Sequence, residues 1–378
     1  TKRNGQNLMA AEWEFWIDVG GTFTDCIYRR PDNSVSTLKV LSSGITKGIV
    51  EETSGSDRFV DLGRVGDPDG FWAGYTIRFL DDSGRVIHSG RVRKSQSENG
   101  LLGVEQLLPP QVAPGTRYEL GGSEEAPILA IRRAMSLSLQ EKIPRVSVRL
   151  GTTRGTNALL TRTGARTAFI TTKGFRDVLL IGNQDRPRLF DLAIHKPEPL
   201  FEQTVEIDER MNAEGSVLKS PNEDEVRTQL KQLHDSGVES VAICLLHAFA
   251  NSEHEQLVEE IARDVGFTEI STSHCLSPLI RIVSRGDTTI ADAYLNPILR
   301  DYVERLRRSL GDSSLRMMTS AGGLVDADHF VGKDSILSGP AGGVIGFSRV
   351  ARQAGFEKSL GFDMGGTSTD VSRFDGQY

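Results

Sequence analysis

The chain has 378 residues, a formal net charge of −7, 38% hydrophobic residues and 25% charged residues. This composition is typical of a soluble globular protein with two or three domains, and its acidic balance argues against nucleic acid as a partner. No apolar run has the length of a membrane helix, which argues against a membrane partner. Residues 1–12 lack the apolar core of a signal peptide, and the three cysteines lack metal-ligand spacing. We therefore expect a disordered tail at 1–12 and a cytoplasmic protein.

Five regions follow in chain order. Residues 13–50 and 126–200 predict strands and helices of a first lobe, with a strand–turn–strand motif near the start. Between them, residues 51–125 are glycine-rich and polar, which predicts an inserted β-rich subdomain. Residues 201–334 alternate between helices and short apolar strands, a pattern that predicts a largely parallel sheet covered by helices. Residues 335–378 predict a helix and a second strand–turn–strand motif, the start of a second lobe that we expect to be truncated.

One glycine-rich motif occurs twice. Asp18-Val-Gly-Gly-Thr-Phe-Thr-Asp25 returns as Asp363-Met-Gly-Gly-Thr-Ser-Thr-Asp370, and an apolar run precedes each copy. Glycines let the backbone approach a phosphate closely, and consecutive N–H groups in such a turn bind anions. A single copy is as readily an ordinary hairpin with a glycine turn. The matched pair instead predicts two hairpins that close on one nucleotide.

A polar turn supplies candidate substrate contacts. Gly151-Thr-Thr-Arg-Gly-Thr-Asn157 lies between a predicted strand and a predicted helix, where N-terminal N–H groups favour anions. The candidate substrate contacts are Thr152, Thr153, Arg154 and Asn157. The alternative is a capping network that holds the loop, because Thr and Asn also satisfy helix N-termini.

These motifs resemble those of the hydantoinase A and ATP-dependent 5-oxoprolinase family, which includes N-methylhydantoinases and subunits of acetone and acetophenone carboxylases. The family belongs to the superfamily of actin, the sugar kinases and the heat-shock ATPases. The matching stretches are residues 17–25, 151–160, 167–178, 337–344 and 363–370. The resemblance implies an α/β fold of actin-like (ribonuclease H-like) ATPase lobes, with mixed sheets flanked by helices. Residues 51–125 have no counterpart that we identify, and the adenosine motif of the superfamily would follow Tyr378. We therefore expect this chain alone to bind ATP weakly or not at all and to be inactive.

The resemblance also implies ATP and Mg²⁺ as cofactors, a small cyclic amide as substrate (5-oxoproline or a hydantoin), and a hydantoinase B-type subunit or fused domain as partner. We expect Asp18 and Asp363 to hold Mg²⁺ through water. Asp25 and Asp370 either support these aspartates or polarise a water molecule. The predicted nucleotide-binding residues are Gly20, Gly21, Thr22, Thr24, Gly365, Gly366 and Thr367. Because side chains alternate along a strand, Thr24 has a structural alternative.

Two other functions stay open. The carboxylase branch of the family activates a ketone and bicarbonate with ATP. A nucleotide-gated switch without substrate chemistry, like the chaperone ATPases, is the second alternative, although residues 151–160 and 167–178 argue against it because the chaperones lack them. The scattered histidines predict no metal site, and no Ser-His-Asp arrangement follows from the sequence.

Overall fold

The computed structural model describes residues 12–184, 190, 193, 196–364 and 369–377. The chain folds as two units. The first comprises the described residues up to Thr153, Val303–Asp328 and the described residues from Ser338 onward. The second comprises Arg154–Tyr302 and His329–Leu337.

Strands outnumber helices in the described part of the chain. The strands are β1 (Glu14–Val19), β2 (Phe23–Arg29), β3 (Val35–Leu41), β4 (Ile45–Ile49), β5 (Glu52–Thr53), β6 (Arg58–Val60), β7 (Thr76–Leu80), β8 (Val86–Gln96), β9 (Leu101–Val104), β10 (Arg117–Gly121), β11 (Ser147–Thr152), β12 (Thr167–Thr172), β13 (Gln203–Ile207), β14 (Arg210–Met211), β15 (Val217–Lys219), β16 (Ser240–Cys244), β17 (Glu269–Thr272), β18 (Ser314–Met318), β19 (Leu324–Asp326), β20 (Ser359–Met364) and β21 (Thr369–Phe374). The α-helices are α1 (Ala126–Met135), α2 (Arg154–Thr161), α3 (Val178–Ile181), α4 (Glu223–Asp235), α5 (Glu253–Val265), α6 (Ser273–Leu276), α7 (Ile282–Leu310), α8 (Gly332–Ser335) and α9 (Ser338–Gln353).

The first unit is built on a mixed six-stranded sheet with the order β19-β18-β11-β1-β2-β3. β1, β2 and β3 form an antiparallel meander, whereas β11 and β18 run parallel to β1. Alternation along β1 sets the two faces: Phe15, Ile17 and Val19 are buried, and Trp16 and Asp18 point to the opposite face. Helix α1 packs against β1, β2 and β3, while α9 packs against β11 and β18 and also contacts the two-stranded sheet of β20 and β21.

The inserted region forms its own seven-stranded sheet, in the order β4-β10-β7-β8-β9-β6-β5. Its outermost strands, β4 and β5, are separated only by Val50 and Glu51. Val50 N donates to Thr116 O, and Glu51 N donates to Val60 O, so the sheet closes back on itself. An aromatic core fills it. This sheet runs from Ile45 to Gly121 and overlaps the β-rich insert predicted for 51–125.

The second unit contains a four-stranded, all-parallel sheet in the order β13-β12-β16-β17. Every residue of β12 and β16 is buried, as expected for central strands covered on both faces. Helices α4 and α5 pack on one face, and Ile290 and Ala293 of α7 join a core cluster with Phe169 and Ala242 on the other. This confirms the predicted parallel sheet covered by helices.

The unit boundaries differ from the predicted division of the chain. Residues 154–200, which we assigned to the first lobe, fall in the second unit, because β12 pairs with β13 and β16. Residues 303–328, which we assigned to the middle region, fall in the first unit, because β18 pairs with β11. Both pairings join segments far apart in sequence, so periodicity alone gave no sign of them. In the part of the chain that the structure describes, no helix has the length and apolarity needed to cross a membrane.

Two buried carboxylates organise the second unit. Glu255 accepts hydrogen bonds from Leu245 N at 2.8 Å, from Ser273 Oγ at 2.5 Å, and from His274 N and Nδ1 at 2.9 and 2.8 Å. Glu209 accepts from Thr172 Oγ1 and pairs with His254 Nδ1 at 2.6 Å. Each carboxylate lies at the centre of its network and contacts both a histidine and a hydroxyl. These contacts hold the strand ends in place.

Candidate functional site

The first glycine-rich motif is the hairpin between β1 and β2. Asp18 and Asp25 are direct cross-strand partners, and Gly20 N donates to Phe23 O at 3.0 Å across the turn. A Cβ added at Gly20 would lie 3.0 Å from that same oxygen, a tight contact that favours glycine there. The predicted strand–turn–strand is confirmed at this motif.

The second motif forms a hairpin in the same register. β20 and β21 are antiparallel, and Asp363 lies directly opposite Asp370, as Asp18 lies opposite Asp25. The predicted phosphate contacts Gly365, Gly366 and Thr367 lie outside the described residues.

Both hairpins face one cleft of about 1070 Å³ in the first unit, at the upper end of the usual range for small-molecule sites. All four motif aspartates and three of the predicted nucleotide-binding residues line it. These lining residues are Asp18, Asp25, Asp363, Asp370, Gly20, Gly21 and Thr22. The structure thus brings together residues from the two ends of the sequence.

The carboxylates make this end of the cleft strongly negative. The pKa of Asp18 is raised, chiefly because the cleft walls desolvate its carboxylate, and further because Asp25 and Asp363 repel its charge. The side chain keeps contact with solvent in the open cleft, but protein surrounds it on several sides. A cation there would relieve this repulsion, and carboxylate oxygen suits Mg²⁺. Among the described residues, no three acidic, histidine or cysteine side chains are grouped closely enough to hold a metal ion directly.

Lys39 neutralises one of the four aspartates. It lies opposite Asp25 on β3, and its Nζ contacts the two Asp25 carboxylate oxygens at 2.9 and 3.0 Å. It also lines the cleft. Sequence reasoning missed Lys39, because only the register of β2 and β3 places it beside the motif.

Thr24 points away from the cleft. Its side chain is buried, and its hydroxyl lies 3.0 Å from Ser42 Oγ, which donates to Gly20 O at 2.7 Å. These hydrogen bonds hold the hairpin turn from its buried side. The structure therefore favours the structural alternative for Thr24 over the predicted nucleotide contact, because alternation along β2 turns its side chain to the buried face.

The N-terminus of α9 forms another wall of the cleft. Ser338 anchors it by donating from Oγ to Thr152 O at 3.1 Å. A Cβ added at Gly339 would lie 3.8 Å from Asp18 Oδ1, and Gly343 has open space beside it. The first-turn N–H groups of a helix attract anions, and glycines leave them accessible. The sequence singled out this stretch as a family signature but gave it no role.

The polar turn at 151–157 lies only partly in the cleft. Thr153 lines the cleft, but its N and Oγ1 both donate to Val19 O, at 3.0 and 3.2 Å. Thr152 is buried. Arg154 stacks over the Tyr302 ring at 4.3 Å, and Asn157 O accepts from Thr161 Oγ1 at 2.8 Å. Of the four predicted substrate contacts, Thr153 alone is among the described residues that line the cleft.

Gly155 within this turn has a packing role in the second unit. A Cβ added there would lie 2.0 Å from Ser335 Oγ, so we expect Gly155→Ala to lower the free energy of unfolding by about 1–3 kcal/mol. Urea unfolding of the chain measures this change. Ser335→Ala should offset part of the loss in a double-mutant cycle. Gly346→Ala is the matched control, because that glycine of α9 has open space. Equal stability of the Gly155 and Gly346 variants would contradict the packing role.

Comparisons with known proteins identify the family and agree with this fold. The model of the hydantoinase/oxoprolinase N-terminal region matches residues 14–59 and 114–266, and the hydantoinase/oxoprolinase model matches residues 285–378. The unmatched residues 60–113 lie within the closed β-sheet of the insert.

A 5-oxoprolinase from Saccharomyces cerevisiae is 42% identical over 294 residues, which is 66% of this chain and 23% of that protein. The chain thus spans about a quarter of that relative. Two solved structures share the fold. Acetone carboxylase in its nucleotide-free form gives a TM-score of 0.62 at 19% identity. The match covers 96% of this chain and 44% of the acetone carboxylase chain. The ATP-dependent caprolactamase of Pseudomonas jessenii gives a TM-score of 0.61 at 22% identity. The match covers 95% of this chain and 43% of the caprolactamase chain. The predicted α/β fold, with mixed sheets flanked by helices, is confirmed.

Proposed function

The chain belongs to the hydantoinase/oxoprolinase family, and we propose that its cleft binds the phosphates of ATP in an enzyme that opens a cyclic amide. One observation carries the proposal. Two hairpins of the same register present four aspartates to a cleft that also contains a glycine-rich helix N-terminus. Hairpin N–H groups and the N-terminus of α9 suit phosphate, and the carboxylates suit a divalent cation.

The residues of this chain would bind and orient. Gly20, Gly21 and Thr22 would hold phosphate oxygens, and Asp18 and Asp363 would hold water-coordinated Mg²⁺ between them. Gly151 has no side chain opposite Asp18, and an added Cβ would lie 3.2 Å from Asp18 Oδ1. The glycine thus leaves room for the carboxylate. Paired with Lys39, Asp25 would contribute less negative charge than Asp18.

ATP would supply the phosphoryl group that converts the amide oxygen into part of a leaving group. The overall reaction consumes one cyclic amide, one ATP and two water molecules, and it yields the opened amino acid, ADP and phosphate. An amide is a poor electrophile, so activation of its oxygen makes attack by water feasible. Positioning and charge neutralisation are the protein's main contributions to such a transfer.

A hydantoinase B-type subunit or domain is proposed as the partner that completes hydrolysis, and the cytoplasm as the location.

The test of the proposed function is ADP release by the complete gene product with that partner. The candidate substrates are 5-oxoproline, hydantoin, and acetone or acetophenone with bicarbonate. Release stimulated by a cyclic amide supports the proposal. Release stimulated only by a ketone with bicarbonate would replace it with carboxylation, and release that no substrate alters would favour a nucleotide-gated switch.

A further inference from the structure

Arg149 lies in the same cleft, one strand repeat away from the aspartates. It is the cross-strand partner of Trp16, just as Gly151 is the partner of Asp18. Both Arg149 and Trp16 line the cleft. Two residues along a strand span about 6.6 Å, so a small ring molecule can reach from the Trp16 row of the sheet to the Asp18 row.

The charges around Arg149 leave a positive excess. Arg149 Nη1 contacts Glu14 Oε2 at 3.3 Å, and Arg29 Nη2 contacts Glu14 Oε1 at 2.7 Å. The hydrogen bond from Arg29, more than the charge of Arg149, lowers the pKa of Glu14. Glu14 is therefore ionised at neutral pH, and two guanidinium groups share one carboxylate. The trio carries one net positive charge.

Arg149 is held in place but keeps donors available. Its guanidinium lies 5.1 Å from the centroid of the Trp16 ring, and contact with Glu14 fixes one end. Within the described part of the chain, its Nε and Nη2 have no hydrogen-bond acceptor. A planar guanidinium with free N–H groups is suited to bind a carboxylate, and its orientation is already set.

We propose that Arg149 binds the carboxylate of an anionic cyclic amide, with Trp16 supporting the guanidinium and the amide group directed toward Asp18. This inference rests on the proposed function and adds to it the residue that would bind the carboxylate of the substrate. In 5-oxoproline the carboxylate and the ring carbonyl flank the ring nitrogen on opposite sides. The carboxylate can therefore meet Arg149 while the carbonyl points toward the aspartates. Trp16 and Ile27, cross-strand partners that both line the cleft, provide an apolar surface for the ring methylenes.

The test compares 5-oxoproline with 2-pyrrolidinone, the same ring without the carboxylate, in ADP release by the complete gene product with its partner. We expect Arg149→Ala to raise KM for 5-oxoproline by about 10- to 100-fold, the effect of losing a charge-assisted hydrogen bond. KM for ATP and turnover of 2-pyrrolidinone should stay within about threefold. Arg149→Lys should give a KM for 5-oxoproline between those of the wild type and Arg149→Ala. Arg316→Ala is the matched control, because Arg316 is exposed beside Arg149 on β18 and does not line the cleft.

Equal losses with both lactams, or a raised KM for ATP, would overturn the inference and assign Arg149 to the phosphates or to folding. If no cyclic amide, hydantoin included, stimulates ADP release in the wild type, the proposed function fails. Calorimetric titration with 5-oxoproline then decides the subsite separately. Binding that Arg149→Ala removes would support it, and no binding by the wild type at millimolar ligand would overturn it.

Discussion

Substitution of Asp18 by asparagine is expected to lower substrate-dependent ADP release by about 1000-fold while leaving the fold intact. The asparagine keeps the size of the side chain but removes the charge that would hold the cation. Asp18 lies where the two hairpins and the N-terminus of α9 meet. Initial rates of ADP release at saturating ATP and substrate measure the effect, and circular dichroism confirms folding.

Three aspartate variants serve as comparisons. Asp363→Asn should match Asp18→Asn, because both residues open equivalent hairpins. Asp25→Asn should lower ADP release less than Asp18→Asn does, because Lys39 already neutralises Asp25. Asp312→Asn, an exposed position outside the cleft, should leave ADP release unchanged. More than about a tenth of wild-type activity in Asp18→Asn would remove Asp18 from the catalytic role.

Substitution of Glu255 by alanine is expected to lower the free energy of unfolding by about 3–5 kcal/mol, the usual cost of breaking a buried charged pair. Glu255 is fully buried and accepts four hydrogen bonds. Its removal would leave the buried donors of Leu245 and Ser273 without their partner. Urea unfolding measures the change. The control is Glu259→Ala one helical turn later, whose exposed pair with Arg263 at 2.6 Å should contribute no more than about 0.5 kcal/mol. Equal losses in the two variants would contradict the role of Glu255.

The same network predicts a pH dependence. The hydrogen bond with Glu255 raises the pKa of His274 above its ordinary value of 6.5. The folded state therefore binds the proton more tightly than the unfolded chain does. The resulting stabilisation is fully present below pH 6.5 and is lost as the pH rises through the higher folded-state pKa. The difference in unfolding free energy between wild type and His274→Gln should accordingly be larger at pH 5.5 than at pH 9. A difference that does not vary with pH would contradict this coupling.

Local patterns in the sequence predicted the parts of the fold that depend on local chemistry. The strand–turn–strand of the first motif and the βα alternation after Phe201 each have a short-range cause, and each is observed. The boundaries of the two units depend instead on β18 pairing with β11 and on β12 pairing with β16. Segments more than 60 residues apart in the chain make these pairings, and strand propensity does not specify a partner.

The candidate site shows the same limit. The repeated motif identified the four aspartates, which share the cleft. Lys39 and Arg149 were missed because each reaches the cleft through strand register, opposite Asp25 and Trp16. For the motif residue Thr24 and the turn residue Arg154, the sequence left a ligand contact and a structural role both open. Packing instead directs Thr24 to Ser42 and Arg154 to Tyr302.

The most direct test of the proposed chemistry follows the amide oxygen. The complete gene product with its partner is supplied with ATP and 5-oxoproline labelled with ¹⁸O in the ring carbonyl, and the released phosphate is analysed by mass spectrometry. Phosphorylation of the amide oxygen predicts one ¹⁸O in the phosphate formed in each turnover, and no labelled phosphate when Asp18 is replaced. Label retained wholly in the carboxylate of the opened product would contradict the account.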